Sequence, residues 1–130
     1  MPRHAAKNET VTAKARALDQ AKVTAKSGNP TWNRCTTDNV GSGKWGQPGF
    51  KDAKGARKFY NALENAQQIL GQKRPSWNCA EVNAVAKLLD KGCELQYIEI
   101  TEVYGTGPQD KIICCDSCKQ WAADCGVKLP

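Results

Sequence analysis

The stretch Cys79-Ala80-Glu81, followed downstream by Cys115-Asp116-Ser117-Cys118, decides the fold of this chain. Three cysteine thiolates bind a zinc ion and leave its fourth position open to water, whereas four protein ligands close the site. Zinc lowers the pKa of that water to about 7. Glu81 lies two positions after the first thiolate, where its carboxylate can move protons of the water. The motifs therefore predict a catalytic zinc centre with Cys79, Cys115 and Cys118 as ligands.

Both motifs are expected to open helices. Cys115 and Cys118 are three positions apart, so at the start of a helix they share one face, with Cβ atoms about 5–6 Å apart. The free N–H groups and the positive dipole end of a helix N-terminus favour thiolates. A second helix is predicted from about Ala80 to Lys91, where Gly92 stops it. Its apolar residues recur at helical spacing: Val82, Val85, Leu88 and Leu89.

These residue types match one class of chemistry. A His or Cys, one residue, a Glu, and later a Cys-x-x-Cys pair form the signature of zinc-dependent nucleobase deaminases. In that chemistry Glu81 would take a proton from the water, pass it to the ring nitrogen, and protonate the departing ammonia. The sequence thus predicts hydrolytic deamination of a nucleobase, with zinc (Zn2+) as cofactor and Glu81 as the catalytic residue.

Other interpretations of the cysteines stay open. A Cys-x-x-Cys pair also occurs in structural zinc sites and in thioredoxin-like redox motifs. Cys114 or Cys125 would close the site if either supplied a fourth thiolate. A redox motif is disfavoured because the preceding sequence lacks a good βαβ pattern. A structural zinc finger is disfavoured because fingers usually offer two close cysteine pairs, and the chain has one such pair.

A family resemblance surrounds these motifs. Bacterial polymorphic-toxin deaminases, and in particular the YwqJ-like group, are similar to this chain in Asn78-Cys79-Ala80-Glu81-Val82-Asn83-Ala84 and in Ile112-Ile113-Cys114-Cys115-Asp116-Ser117-Cys118. The resemblance covers roughly residues 75–130. It implies the cytidine-deaminase-like fold, which is α/β with three layers (α/β/α) and a small central sheet. It also implies the same three ligands and Glu81 as the proton shuttle.

The chain departs from that family in two places. The residue before the second ligand is often proline in the wider superfamily, whereas here it is Cys114. The chain also ends twelve residues after Cys118, which leaves little room for later strands of larger deaminases. The second departure concerns the size of the sheet more than the chemistry.

The resemblance also implies a biological context. Members of this family are toxin domains, secreted or delivered into the cytoplasm of a target cell, where they modify nucleic acid. The producer of such a toxin needs an immunity protein that blocks the pocket. We expect a monomer without a membrane segment, because no apolar run approaches the roughly 18 residues of a span. The odd number of cysteines suits a reducing compartment, with Cys35, Cys93 and Cys125 as buried thiols.

The charge is uneven along the chain. Residues 1–74 carry 14 Lys or Arg and 5 Asp or Glu, whereas residues 75–130 carry 5 Lys and 8 Asp or Glu. A basic half suits a polyanionic substrate, because phosphate contacts supply most nonspecific affinity for nucleic acid. We predict a basic lead segment or linker, residues 1–28, and a deaminase domain, residues 29–130, with one modest core. A lead segment that serves only solubility is the alternative.

Further elements follow from local patterns. The segment Thr10–Lys26 is rich in Ala and Lys and predicts a marginal helix. Residues 55–71 predict a helix whose apolar stripe belongs to the core. Leu95 to Tyr104 predicts a strand, since it is rich in Ile, Val and Tyr. Residues 112–114 predict a short strand that delivers the second ligand to the metal.

Four residues are candidates for substrate binding: Trp77, Asn78, Trp45 and Lys44. Trp77 and Asn78 precede the first ligand and are expected at the rim of the pocket, although Asn78 would also serve as a helix cap. Trp45 and Lys44 lie in a glycine-rich stretch, where aromatic and basic side chains can contact unpaired bases. Packing of Trp45 at the edge of the core is the alternative.

The combined prediction is a single domain that converts cytosine to uracil in nucleic acid. DNA is favoured over RNA from the habit of the family, and the base must be single-stranded or flipped out of a duplex. Adenine stays open because it shares the zinc motif, as do free nucleotides. The rival is a non-catalytic, zinc-stabilised nucleic-acid-binding module, in which Glu81 has no chemical role.

Overall fold

The computed structural model describes residues 2–6, 9–18, 21–26, 55–71, 79–107 and 109–130. The elements in these ranges are β1 (Thr12–Ala17), β2 (Ala21–Lys26), α1 (Ala56–Leu70), α2 (Ala80–Asp90), β3 (Ile98–Tyr104) and α3 (Asp116–Cys125). A 3₁₀ turn over Leu95–Tyr97 leads into β3, so the strand predicted from Leu95 is confirmed from Ile98 onward. The chain is a mixed α/β fold, with an antiparallel sheet of strand order β2-β1-β3.

The segment Thr10–Lys26 is not a helix, and that prediction is wrong. It forms β1 and β2, an antiparallel pair in which Ala15 lies opposite Val23. Alternate residues of β1 point to opposite faces, so Ala15 is buried whereas Lys14 and Arg16 are partly exposed. The helix propensities of ordinary residues differ by less than about 0.7 kcal/mol. Pairing of β1 on both edges satisfies its backbone groups and outweighs that preference.

Two of the three strands therefore lie within the predicted lead segment, residues 1–28. β1 is the central strand, because β2 pairs with one of its edges and β3 pairs with the other. A register irregularity between Lys14 and Ala15 sets Lys14 opposite Glu102 and Ala15 opposite Ile100. Four basic residues of this segment thus belong to strands of the sheet: Lys14, Arg16, Lys22 and Lys26.

Beyond β3 the pairing continues through isolated bridges. The N–H of Ile112 donates to the carbonyl of Val103 at 3.0 Å, and the N–H of Ile113 donates to the carbonyl of Arg3 at 2.8 Å. The short strand predicted over residues 112–114 is therefore reduced to single bridges, since each partner offers only one or two pairing positions. The N-terminal residues lie beside the segment that leads into α3.

α2 is the helix that packs on the sheet. It contacts all three strands, and the small alanine side chains of β1 on the facing side allow it a close approach. Its predicted apolar positions are all fully buried: Val82, Val85, Leu88 and Leu89. Its last residue is Asp90, and Gly92 follows with a left-handed φ of 88°, which glycine adopts without steric cost. The predicted bounds of this helix are confirmed.

α1 and α3 pack against each other. The rings of Phe59 and Trp121 meet edge to face, with centroids 5.2 Å apart and an interplanar angle of 76°. The predicted apolar stripe of α1 is buried at Tyr60, Leu63 and other positions, whereas Ile69 is 59% exposed. No helix in the described ranges is long and apolar enough to cross a membrane.

Candidate metal centre

Three cysteine sulfurs meet where α2 and α3 begin. The Sγ atoms of Cys79, Cys115 and Cys118 all lie within 4.8 Å of one another. Tetrahedral zinc with sulfur ligands at about 2.3 Å sets its sulfur atoms about 3.8 Å apart, a spacing that lies within this limit. The three predicted ligands are thus brought together, and the cluster could bind a metal ion.

Helix starts position these sulfurs. Cys79 and Cys115 are the N-cap residues of α2 and α3, and both have extended backbone angles. Cys118 lies in the first turn of α3, so it faces the same direction as Cys115. The first N–H groups of a helix lack partners within the helix, and its dipole favours negative charge there. Two helix N-termini therefore converge on one point, where they stabilise the negative charge of thiolates.

The pKa values of the three cysteine thiols are shifted in different directions. The thiols of Cys118 and Cys79 donate hydrogen bonds to the sulfur of Cys115 and hold the pKa of Cys115 well below its usual range. The backbone N–H groups of Cys118 and Ser117 lower that pKa further. Contact with Cys115 raises the pKa of Cys79 and of Cys118, and burial adds to the rise. Of the three sulfurs, Cys115 is thus the one whose negative charge is favoured by its surroundings.

Glu81 lies against the cluster without being part of it. Its side chain follows Cys79 in the first turn of α2, and only 5% of the residue is exposed. Burial raises the pKa of Glu81, whereas hydrogen bonds from its own backbone N–H and from the thiols of Cys118 and Cys114 oppose the rise. A carboxyl group with a raised pKa beside a metal site is suited to accept and release protons.

Neither Cys114 nor Cys125, the two candidates for a fourth thiolate, belongs to the cluster. Burial raises the pKa of Cys114 to about 12, with the Glu81 carboxylate as the next cause, so Cys114 stays a protonated thiol. Cys125 lies on α3 and donates through its Sγ to the carbonyl of Trp121 at 3.0 Å. Within the part of the chain that the structure describes, the metal-ligating group comprises Cys79, Cys115 and Cys118. A fourth coordination position is left for a molecule other than these side chains.

Asn83 is a part of the site that the sequence analysis missed. It is 1% exposed, and its Nδ2 donates to the carbonyl of Cys79 at 3.0 Å. The backbone N–H of Asn83 donates to the same carbonyl at 3.1 Å. The main chain of the first ligand is therefore held by two hydrogen bonds. A polar residue among the apolar positions of α2 is the signal that indicates such a role.

An N-terminal ion cluster fixes the segment before the second ligand. Nε and an Nη of Arg3 donate to Asp110 at 2.9 and 2.7 Å, and both Nη atoms donate to Glu9 at 2.8 and 2.6 Å. Gly105 lies against this cluster, and a side-chain methyl there would overlap the carboxylates of Glu9 and Asp110. The cluster joins the start of the chain to the loop between β3 and residue 112, from which Cys115 follows.

A cavity of about 570 Å³ opens at the edge of β3. Its wall includes Tyr104, Ile113, Cys114 and Lys119. Since Cys114 also forms a hydrogen bond with Glu81, the cavity reaches a direct neighbour of the candidate proton shuttle. Cavities of about 300–1,000 Å³ are the size that small ligands occupy.

Other predicted residues have mixed outcomes. The substrate-binding candidates Trp77, Asn78, Trp45 and Lys44 all lie outside the described residues. Of the three predicted buried thiols, Cys125 is buried, Cys93 is half-buried, and Cys35 lies outside the described residues.

Comparisons of the chain with protein-family models, with curated proteins and with solved structures found no match. The chemistry of the centre must therefore be argued from its own residues.

Proposed function

We propose that this protein is a zinc-dependent hydrolytic deaminase that converts cytosine to uracil in nucleic acid. One observation carries the proposal: the buried carboxyl group of Glu81 lies beside a cluster of three cysteine sulfurs that no fourth described side chain joins. A purely structural zinc site has no need of a buried carboxyl group next to its ligands, because burial of an acid costs free energy unless it is compensated.

The cysteine side chains and Glu81 would have different roles in the reaction. Cys79, Cys115 and Cys118 would hold zinc, for which three soft sulfur donors are suited. Bound zinc supplies a water molecule whose pKa is lowered to about 7. Glu81 would accept a proton from water and deliver it to the ring nitrogen of the base. It would then accept the proton of the hydroxyl group that water adds to the ring carbon and pass it to the amino group, which leaves as ammonia. Burial of Glu81 supports this role, because it brings the pKa of the carboxyl group upward, towards neutral pH.

The fold and the origin belong to the same proposal. We propose the cytidine-deaminase-like arrangement, with three layers and a small central sheet, of which the described elements supply the sheet and the layer formed by α2. The order α2, β3, α3, with α2 packed on the sheet and ligands at two helix starts, supports it. We further propose that the chain is a polymorphic-toxin deaminase domain, close to the YwqJ-like group, that acts in a target-cell cytoplasm and is blocked by an immunity protein. The resemblance around Cys79 and Cys115 supports that origin.

The substrate is proposed to be DNA rather than RNA or a free nucleotide. The excess of Lys and Arg in residues 1–74 supports a polymer over a free nucleotide, because a polymer offers many phosphates for these side chains to bind. The preference for DNA over RNA follows the family resemblance and no single residue. The base must leave any duplex stack to reach a buried centre, so single strands are the accessible form.

The decisive experiment compares the wild type with Glu81→Gln on cytosine-containing single- and double-stranded DNA. Uracil would be detected by glycosylase cleavage, and zinc content would be measured on the same samples. We expect uracil from the wild type, a loss of about 10²–10⁴-fold in Glu81→Gln, and equal zinc in both proteins. The matched control is Glu64→Gln, which should retain full activity. Glu64 lies on α1, a helix that contributes none of the three cysteines.

The opposite result would redirect the proposal. No uracil from the wild type with zinc bound would move the test to RNA, to adenine and to free nucleotides. Failure on all of these substrates would leave a non-catalytic, zinc-stabilised nucleic-acid-binding module. In that case Glu81→Gln should leave nucleic-acid binding unchanged.

A further inference from the structure

The sheet carries a row of cations on the face that points away from α2. Strand alternation buries the alanines of β1 on the α2 side and sets Lys14 and Arg16 on the other side. On β2 the exposed residues Lys22 and Lys26 alternate in the same way with half-buried or buried neighbours. We call these four side chains the basic face: Lys14, Arg16, Lys22 and Lys26.

Like charges face each other across this surface. Arg16 and Lys22 are direct cross-strand partners in the β1–β2 pair. Like charges directly opposite each other destabilise a sheet, since their side chains lie within about 5.5 Å at Cβ. Because Glu99 already forms an ion pair with Arg16, the charge that an external anion would neutralise here is that of Lys22.

The acidic residues nearby compensate only one side of the basic face. Glu102 forms an ion pair with Lys14 at 3.3 Å, and Glu99 forms one with Arg16. Both acids belong to β3. In the described part of the chain, Lys22 and Lys26 form no ion pair, so the positive charge grows towards the β2 edge. A negatively charged partner would complement that edge.

The basic face borders a cavity that shares part of its wall with the cavity at Cys114. A cavity of about 490 Å³ is lined by Lys14, Arg16, Lys22 and Thr24 together with residues of β3. The second cavity, of about 570 Å³, shares two wall residues with it, Thr101 and Glu102, and ends at Cys114. A chain of repeating anions bound along the first cavity would therefore lie beside the second cavity, whose wall includes Cys114.

We propose that the basic face binds the phosphate backbone of single-stranded nucleic acid and guides the strand towards the cavity at Cys114. The inference rests on the proposed function, because guidance of a strand has a purpose only when a base is to be processed at the centre. Lys22 and Lys26 would each contact a phosphate.

The test uses oligo(dT) labelled with a fluorophore, because it contains no cytosine and binding is then measured without turnover. Anisotropy titrations over a salt series would compare the wild type with the double variant Lys22→Gln/Lys26→Gln. Its matched control is Lys58→Gln/Lys91→Gln, which removes two exposed cations from α1 and from the end of α2. All four lysines are exposed, so folding should persist and is checked by circular dichroism.

We expect the double variant to bind oligo(dT) several-fold more weakly at low salt. The slope of log K against log salt should become shallower by about 1.4, since each lost contact to a single strand removes about 0.7. The control should match the wild type. Equal affinities and slopes in all three proteins would overturn the proposal. It would also be overturned if the wild type did not bind oligo(dT) and instead formed a dimer that the double substitution Lys22→Gln/Lys26→Gln dissociates.

The result separates this inference from the proposed function. Weaker oligo(dT) binding by the double variant, together with no uracil from the wild type, would keep the basic face as a nucleic-acid surface and reject the deaminase. Uracil formation that depends on Glu81, together with unchanged oligo(dT) binding, would keep the deaminase and reject the basic face.

Discussion

The side-chain amide of Asn83 donates a hydrogen bond of 3.0 Å to the carbonyl oxygen of Cys79, one helical turn earlier in the chain. The bond joins a buried residue of α2 to the main chain of the first ligand, at the point where the helix starts. It therefore fixes where the Cys79 sulfur stands relative to the two sulfurs of α3. The geometry of the centre depends on this contact as well as on the ligands themselves.

Asn83→Ala should weaken zinc binding while the three ligands remain. Loss of an outer hydrogen-bonding partner of a metal site typically costs about 10–100-fold in metal affinity, and we expect a loss of that order. Competition with a chromophoric chelator would measure it. Asn65→Ala is the control, because Asn65 is exposed on α1 and its Nδ2 bonds Asp124 at 3.2 Å, away from the centre. Equal zinc affinity in wild type and Asn83→Ala would show that the bond does not position the ligand.

Cys118→Ser should abolish stoichiometric zinc binding, whereas Cys114→Ser should preserve it. The sulfur of Cys118 belongs to the three-sulfur cluster, and that of Cys114 does not. A neutral serine hydroxyl is a poor zinc ligand, so removal of one of three donors leaves too few. Elemental analysis should find about one zinc per chain in wild type and Cys114→Ser. Zinc loss from Cys114→Ser, with Cys118→Ser unaffected, would mean that the ligand set is wrong.

Zinc binding should release protons and strengthen as pH rises. Contact with Cys115 and burial raise the pKa of Cys79 and of Cys118, whereas contacts with the other two sulfurs lower the pKa of Cys115. Zinc requires thiolates and should displace about two protons. Calorimetry in buffers of different ionisation enthalpy would count them. Binding without proton release, or an affinity that falls with rising pH, would contradict this assignment of protons.

Asp110→Asn should destabilise the fold near neutral pH and progressively less in acid. The Arg3 guanidinium holds the pKa of Asp110 well below its usual range. A depressed pKa contributes stability above the unfolded value of about 3.9, and this stability is lost as pH falls through the folded value. Urea midpoints of wild type and variant should therefore converge below about pH 4.

Gln96→Ala is the control for that measurement, since Gln96 is exposed and carries no carboxyl group. Its effect on the urea midpoint should be small at every pH. A constant difference between wild type and Asp110→Asn from pH 7 to pH 3 would show that the ion pair with Arg3 does not contribute.

The sequence predicts the helices of the centre because their signals are local. Apolar spacing and Gly92 define α2, and the Cys-x-x-Cys spacing defines the start of α3. Cap positions, periodicity and a stop residue act over a few residues, so they can be recognised without knowledge of the rest of the chain. The meeting of Cys79 with Cys115 and Cys118 also follows from the motif, since one metal site requires all three.

Tertiary contacts decided the secondary structure where pairing with distant residues competes with the helix propensity of the local sequence. The segment Thr10–Lys26 has a composition that suits a helix, yet β1 pairs with β3, which lies far downstream, and that pairing outweighs propensity. The choice of Cys115 over Cys114 as a ligand, already favoured by the motif, is realised by side-chain direction at the start of α3.

By itself, the sequence determined which residues can perform metal chemistry, because residue type and short spacing specify donors and a proton carrier. The tertiary structure decided what surrounds them. Burial of Glu81 and the pairing of β1 with β3 both depend on contacts between segments remote in sequence. Such contacts are set by packing and strand pairing of the whole domain, which no local pattern records.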